Sequence, residues 1–318
     1  MNITEHVIVE QFPFWGPALT QPLPGLHAST LVVVGCGTSY YLAQVVASAL
    51  NLDGKRAIAV PGGEWARRPH AYLPDTDDVQ VIALSRSGES TETVQAVQAS
   101  CARGIKTLGI TCEPGSSLAR CSDEVLYAPT HALEGIVMSS SASLMLLLGL
   151  RLAGVAVDAG IPFTAERTMQ MLDRLVSSSN VLSRSHFVYL GGGPYYGLAS
   201  EGALKLQEMS LTYTQVFHPM EYRHGPISLV DDKTCVVLIY SPQTYAEETT
   251  LCTELQAKGA LVIGLGGPGD LSVDLNHDGL ERSLAILPAL QLFGERLAQY
   301  KQLDSTAPRH LTKVVRLS

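Results

Sequence analysis

Residues 84–91 read LSRSGEST, placing four hydroxyls (Ser85, Ser87, Ser90, Thr91), one glycine and one arginine within eight residues. The run falls between the apolar stretch VQVIAL and the helix-like ETVQAVQASCARG. Such a strand-to-helix joint suits an anion, because a helix N-terminus carries unpaired N–H donors and a partial positive charge. A second joint of the same kind, VGCGTSYY, supplies Thr38 and Ser39. Either loop alone reads equally as a turn with a helix cap. Two of them on one sheet edge favour an anion cradle, with Arg86 available for a charge-assisted contact.

Three further groups have the chemistry to move protons or form bonds. In LASEGALKLQEMS, Glu201, Lys205 and Glu208 recur at i, i+4 and i+7 on a helix otherwise apolar or small. A solvated stripe of ion pairs is the plain alternative; a charged stripe turned into a cleft is the sharper one. His224 precedes Gly-Pro in EYRHGP, and imidazole titrates near neutrality. Lys313 is the single lysine of the closing stretch APRHLTKVVRLS, by default an exposed surface charge. His218 and His224 lie six apart with no completing carboxylate or cysteine pattern, so no metal site is expected. Tyr40 stands where a dinucleotide fingerprint needs its third glycine, so no nucleotide cofactor is expected. Cys36 sits between two glycines with no histidine beside it and is not read as a nucleophile.

The elements that must position these groups occur twice. LVVVGCGTSYYLAQVVASAL, from Leu31, aligns with FVYLGGGPYYGLASEGALKL, from Phe187, at an offset of 156 residues. ARGIKTLGI (102–110) aligns with AKGALVIGL (257–265) at an offset of 155. Two near-equal offsets imply two related domains. Each copy alternates buried apolar runs with helical periodicity, which predicts parallel sheets covered on both faces, with ligands at the carboxyl ends of the strands. The second copy carries SPQTYA (241–246) opposite SRSGES, so one anion site per chain is expected, in the first copy.

Composition narrows the class. The chain has 318 residues, 46% of them hydrophobic, and a formal net charge of −8. No basic stripe is present, so neither nucleic acid nor an anionic membrane is an expected partner. ASLMLLLGLRLAGVAV is interrupted by Arg151 and is shorter than the roughly 20 residues of a membrane span, so a buried helix is expected. The opening MNITEHVIVEQF lacks a basic region and an apolar stretch, so no signal peptide is expected. Six cysteines without a C-x-x-C pair suit reduced thiols in a cytoplasm.

Six ordered segments, GCGTSYY, LSRSGES, GSSLAR, EGALKLQEMS, EYRHGP and PRHLTKVV, together resemble the isomerase half of glucosamine-6-phosphate synthase, in the sugar-isomerase (SIS) superfamily. The resemblance spans residue 31 to the end. It implies two tandem SIS domains of α/β class, each a flavodoxin-like three-layer sandwich, with a C-terminal active-site tail. The boundaries expected are 1–27 for an N-terminal segment, 28–155 and 183–300 for the domains, 156–182 for a helical connection and 301–318 for the tail. A phosphorylated sugar is the implied substrate, with no cofactor. Thr38, Ser39, Ser85, Arg86, Ser87 and Ser90 fall on or beside the phosphate positions, and Gly37, Val137 and Ser139 on substrate-binding ones. The resemblance implies that Glu208 moves the proton between C1 and C2, that His224 opens the ring from the partner subunit of a homodimer, and that Lys313 forms a Schiff base. Lys205 lies beside that carboxylate.

Two departures bear on the reaction. The chain opens without an N-terminal cysteine and without room for an amidotransferase, so glutamine is not an expected nitrogen source. Ser139–Ser141 read SSS where the synthase carries a lysine, as in stand-alone deaminases, ketose isomerases and deglycases. The expected activity is an amino-sugar-6-phosphate deaminase/isomerase. A fructosamine-6-phosphate deglycase, a phosphoketose/aldose isomerase and a non-catalytic sugar-phosphate sensor are the alternatives.

Overall fold

The computed structural model describes residues 1–275 and 278–316. The first half of the chain runs α1 (Ile3–Val9), α2 (Trp15–Thr20), β1 (Thr30–Gly35), α3 (Thr38–Leu52), β2 (Arg56–Pro61), α4 (Gly62–Arg67), β3 (Val79–Leu84), α5 (Thr91–Cys101), β4 (Lys106–Thr111), α6 (Ser117–Cys121), β5 (Glu124–Tyr127) and α7 (Ser140–Leu152). The second half runs α8 (Ile161–Ser177), β6 (His186–Gly191), α9 (Pro194–Ser210), β7 (Thr214–Phe217), α10 (Pro219–Tyr222), β8 (Thr234–Ile239), α11 (Tyr245–Ala257), β9 (Leu261–Leu265), β10 (Leu271–Val273) and α12 (Arg282–Tyr300).

Two compact units result, one of residues 10–159 with 310–318, the other of residues 1–9 with 160–309. Each holds a five-stranded parallel sheet, ordered β2-β1-β3-β4-β5 in the one and β7-β6-β8-β9-β10 in the other. Taken strand for strand, the two orders are the same, as the internal repeat requires. The α/β class expected from the alternation of strand and helix stands.

Alternation along each buried strand divides the residues between two faces. In the first unit Val32, Val34, Val81 and Ala83 pack with Trp65 of α4, Ala96 and Val97 of α5 and Leu118 of α6. The opposite face is covered by α3 and α7, which pack closely enough that a Cβ at Gly149 would lie 2.4 Å from Val46. The apolar run expected to be a buried helix is α7, in which every residue but Arg151 is buried. Arg151 reaches out to the carbonyls of Ala18 and Gln21 at the end of α2. Among the described residues no helix is long and apolar enough to cross a membrane.

The second unit repeats this packing, with Val188, Leu190, Val236 and Leu238 against Leu251, Cys252 and Leu255 of α11. Residues 161–177, expected as a connection, form α8, which packs on α12. Helix α1 joins them through Glu5, which accepts from Arg296, itself paired with Asp173 of α8. The Asp173 and Glu5 carboxylates hold the Arg296 guanidinium well above its ordinary pKa.

The joint after the first strand of each unit is nearly superposable in backbone terms. Gly37 has φ 54° and ψ −127°, and Gly193 φ 55° and ψ −126°. Two residues earlier, a Cβ at Gly35 would lie 2.5 Å from Ser39 backbone, and one at Gly191 2.3 Å from the Tyr195 carbonyl. Neither approach admits a side chain, so Gly191→Ala should cost about 1–3 kcal/mol, the usual range for overpacking. Urea denaturation of that variant should show a lowered midpoint with an unchanged slope.

Candidate functional site

The two loops expected to hold an anion follow β1 and β3, adjacent parallel strands, and therefore open on one sheet edge. Thr38 and Ser39 are buried in the first turn of α3, each 4% exposed. Ser85 N–H donates to the Ile110 carbonyl at 3.1 Å, and the Arg86 carbonyl accepts from Cys112 N–H and the Thr111 hydroxyl, which pins the second loop to β4. The Ser85 Oγ accepts from Gly88 N–H at 3.1 Å and the Ser87 Oγ from Glu89 N–H at 3.2 Å. Those contacts fix each oxygen and leave its proton to donate outward. Ser90 occupies the N-cap of α5 but makes no side-chain capping bond, so simple helix capping is not its use. Gly88, at φ +61°, admits no side chain, because a Cβ would lie 2.1 Å from the Ser116 Oγ.

Arg86, expected to lend the anion a charge-assisted contact, is buried, and its guanidinium is directed at backbone. Nη1 donates to the Gly135 carbonyl at 2.9 Å, and Nη2 to those of Ile136 at 3.1 Å and Lys313 at 3.0 Å. The tail thus lies against the loop. The Lys313 ammonium donates to the Glu134 carbonyl at 2.8 Å, and Thr91 N–H donates to the Val315 carbonyl at 3.4 Å. Residues 310–316 hold no strand; the Lys313 carbonyl faces an arginine and the Val315 carbonyl a helix terminus.

Glu134 was missed in the sequence. It is 3% exposed, and one carboxylate oxygen accepts from the N–H groups of Ser139 at 2.7 Å and Ser141 at 3.1 Å. The other accepts from the Thr130 hydroxyl at 2.9 Å. Glu134 therefore caps α7 in place of Ser139, a favourable place for a carboxylate. The signal was a lone acid in HALEGIVMSSS, just ahead of a helix start. The same loop buries Val137 and Ser139. Ser141, at the position of the synthase lysine, is fully buried.

In the second unit, α9 presents the charged stripe. Gly202 lets the helix meet β6 and α12 closely, since a Cβ there would lie 2.8 Å from the Tyr189 ring and 2.7 Å from Leu290. Lys205 is fully buried; its Nζ lies 2.5 Å from Glu208 and 3.4 Å from Glu201, itself fully buried. Burial drives the Lys205 ammonium down, but Glu201 and Glu208 outweigh it and hold the pKa above its usual value. Glu208, with its side chain 21% exposed, is the member of the trio that reaches solvent. The stripe is therefore an internal charge network, not a solvated row of ion pairs.

His224 is exposed just beyond α10. The segment is held by Arg223, whose guanidinium grips Glu254 through two bonds of 2.9 and 3.1 Å. Gly225, at φ 126°, turns the chain directly after it. His218 stacks on Tyr196 with ring centroids 4.2 Å apart.

The cradle of the second unit is filled by the protein's own side chains. Tyr240 N–H donates to Leu265 as Ser85 N–H donates to Ile110, both at 3.1 Å. Tyr240 is therefore the true counterpart of Ser85, one residue off the alignment of SPQTYA with SRSGES. Its ring lies beside Tyr245 and its hydroxyl donates to the Pro268 carbonyl. The Glu248 carboxylate accepts from Ser241 N–H at 2.7 Å and the Thr244 hydroxyl at 2.8 Å, as a bound anion would.

The family model of the SIS domain matches residues 26–153 and 181–273. Among curated relatives, the glutamine–fructose-6-phosphate aminotransferase of Pyrobaculum aerophilum is 30% identical over 91% of this chain and 52% of its own length. The one from Thermotoga maritima is 29% identical over the same shares. The chain spans about half the length of these relatives. Among solved structures, glucosamine-6-phosphate deaminase from Thermotoga maritima matches with a TM-score of 0.87 and 28% identity, over 99% of this chain and 100% of that one. Tagatose-6-phosphate ketose/aldose isomerase from Escherichia coli matches with a TM-score of 0.82 and 26% identity, over 96% and 95%.

The network on α9 has a measurable cost when broken. Lys205→Met removes the cation that Glu201 and Glu208 face and should lower stability by about 3–5 kcal/mol. Adding Glu201→Leu should restore most of that loss, which a double-mutant cycle by denaturant titration would read.

Proposed function

The chain belongs to the SIS domain family, and from that premise we propose that it is an amino-sugar-6-phosphate deaminase/isomerase, converting glucosamine 6-phosphate and water to fructose 6-phosphate and ammonia. The observation that carries this reading is Lys313, an amine tied by its own ammonium and carbonyl to the neighbourhood of the anion loop. A plain aldose–ketose isomerase has no use for an amine there; breaking a C–N bond does.

In this reading the hydroxyls of Ser39, Ser85, Ser87 and Ser90, with Thr38 and the Gly37 turn, anchor the phosphate, and that remote binding energy positions the reacting carbons. Val137 and Ser139 line the sugar. His224 opens the ring. Glu208 removes the proton from C2 of the open aldehyde and returns one to C1, leaving an imine at C2. Lys205, with its charge held by two carboxylates, orients Glu208. Lys313, as free amine, adds to C2 and ammonia leaves; water then cleaves the lysine imine to release the ketose and restore the amine. The proposed assembly is a homodimer in which His224 serves the partner's site, and the proposed setting is cytoplasmic.

Ammonia release from glucosamine 6-phosphate by the purified protein tests the assignment. Turnover confined to a fructosamine phosphate would instead identify a deglycase, ketose–aldose interconversion without ammonia an isomerase, and binding without turnover a sensor. Ser87→Ala should raise KM about ten- to a hundredfold, as expected for one hydrogen bond to a charged group at about 1.5–3 kcal/mol. Glu208→Gln should lower both proton transfer and ammonia release by about 10²–10⁴-fold. Lys313→Met should abolish the adduct that borohydride traps with fructose 6-phosphate, read by mass spectrometry. Mixed Glu208→Gln and His224→Ala chains should recover activity if sites are shared; none after verified subunit exchange would show self-contained sites.

A further inference from the structure

We infer that Arg86 is a positioning residue for Lys313 and not a ligand of the phosphate. The inference rests on the proposed role of Lys313, but its geometry stands apart from any reaction. Three successive carbonyls, those of Glu134, Gly135 and Ile136, are shared between two cations: Lys313 Nζ takes the first, and Arg86 Nη1 and Nη2 the other two. Arg86 Nη2 also holds the carbonyl of Lys313 itself at 3.0 Å. Lys313 is thus gripped at both ends, its ammonium by the loop after β5 and its backbone by the arginine. Arg86 is 6% exposed, so its donors are shielded from water and leaving one unpaired is costly, while Lys313 is exposed.

The residue type suits the task. A guanidinium is planar, always charged and carries five donors in a fixed fork, and here the two terminal nitrogens bind three carbonyls in two segments, 135–136 and the tail at 313. A lysine ammonium lacks that planar fork. The backbone of Arg86 is equally fixed, because its carbonyl accepts from Cys112 N–H at 3.1 Å and the Thr111 hydroxyl at 3.1 Å. Arg86 stands between Ser85 and Ser87, so one short peptide carries both anion-facing hydroxyls and the clamp on the tail. The amine is thereby indexed to the proposed anion loop, while every bond that the Arg86 guanidinium makes here goes to the protein's own carbonyls.

The test compares wild type with Arg86→Met, with Ser87→Ala as the reference for a true phosphate contact. Inorganic phosphate titrated by calorimetry reads the cradle without sugar chemistry. Trypsin cleavage after Lys313, followed by mass spectrometry, reads the tail without catalysis. The expected result for Arg86→Met is phosphate affinity within about threefold of wild type, at least tenfold faster cleavage after Lys313, and KM for glucosamine 6-phosphate nearly unchanged while kcat and borohydride trapping fall together. Arg86→Lys should recover only part of the tail protection. Phosphate affinity lost as in Ser87→Ala, or an unaltered cleavage rate, would overturn the inference. Should Arg86→Met fail to fold, Arg86→Gln, whose amide keeps two donors, decides the same comparison. If wild type turns over no amino sugar, the proposed reaction fails while the phosphate and trypsin readings still decide the clamp.

Discussion

Each unit is organised around a backbone contact that only glycine permits. Gly35 and Gly191 bring a strand end against the first turn of the following helix, and Gly37 and Gly193 then adopt a conformation with φ near +55° that L side chains rarely take. The start of α3 or α9 is set by these residues, and with it the direction of the helix N-terminus and of every side chain on the helix. In the first unit this places Thr38 and Ser39 at the edge where the loop after β3 also opens. In the second it sets the phase of α9, so that Glu201, Lys205 and Glu208 fall on one inward stripe. The same backbone joint therefore carries buried hydroxyls in one copy and a lysine between two carboxylates in the other.

The two copies diverge by what fills the space beside that joint. The first keeps the small hydroxyls of Ser85 and Ser87, whose oxygens accept from Gly88 and Glu89 N–H, and Gly88 fits against Ser116. The second closes its cradle with Tyr240 and with the carboxylate of Glu248, whose pKa burial raises. A carboxylate on the loop N–H group satisfies the same donor that a phosphate would. On α9 of the second unit a lysine is tolerated without solvent because two carboxylates offset its desolvation.

Much of this was legible in the sequence because it depends on local pattern. The offsets of 156 and 155 follow from glycines and apolar runs whose spacing a parallel sheet preserves, and β1 and β6 begin at Thr30 and His186, separated by the same interval. The hydroxyls of LSRSGEST announced a polar joint for the same reason. What was illegible depends on distance along the chain. Nothing near Arg86 says where a long side chain will end, since its acceptors lie in residues 135–136 and at 313. Glu134 was overlooked because its partners are amides of a helix not yet placed. The alignment of SPQTYA slipped by one residue because Ser241 resembles Ser85 in type, whereas backbone hydrogen bonding pairs Ser85 with Tyr240.

The ends of the chain are exchanged between the units: residues 1–9 belong with 160–309, and 310–318 with 10–159. A gene cut at the sequence repeat would therefore yield two fragments, each carrying a short piece of its neighbour and lacking one of its own. The fragment bearing the loop after β3 would lose Lys313, whose carbonyl Arg86 holds, and the fragment bearing α9 would lose the glutamate that Arg296 grips. Dissection of such a protein into working modules calls for circular permutation or co-expression with the missing termini grafted on.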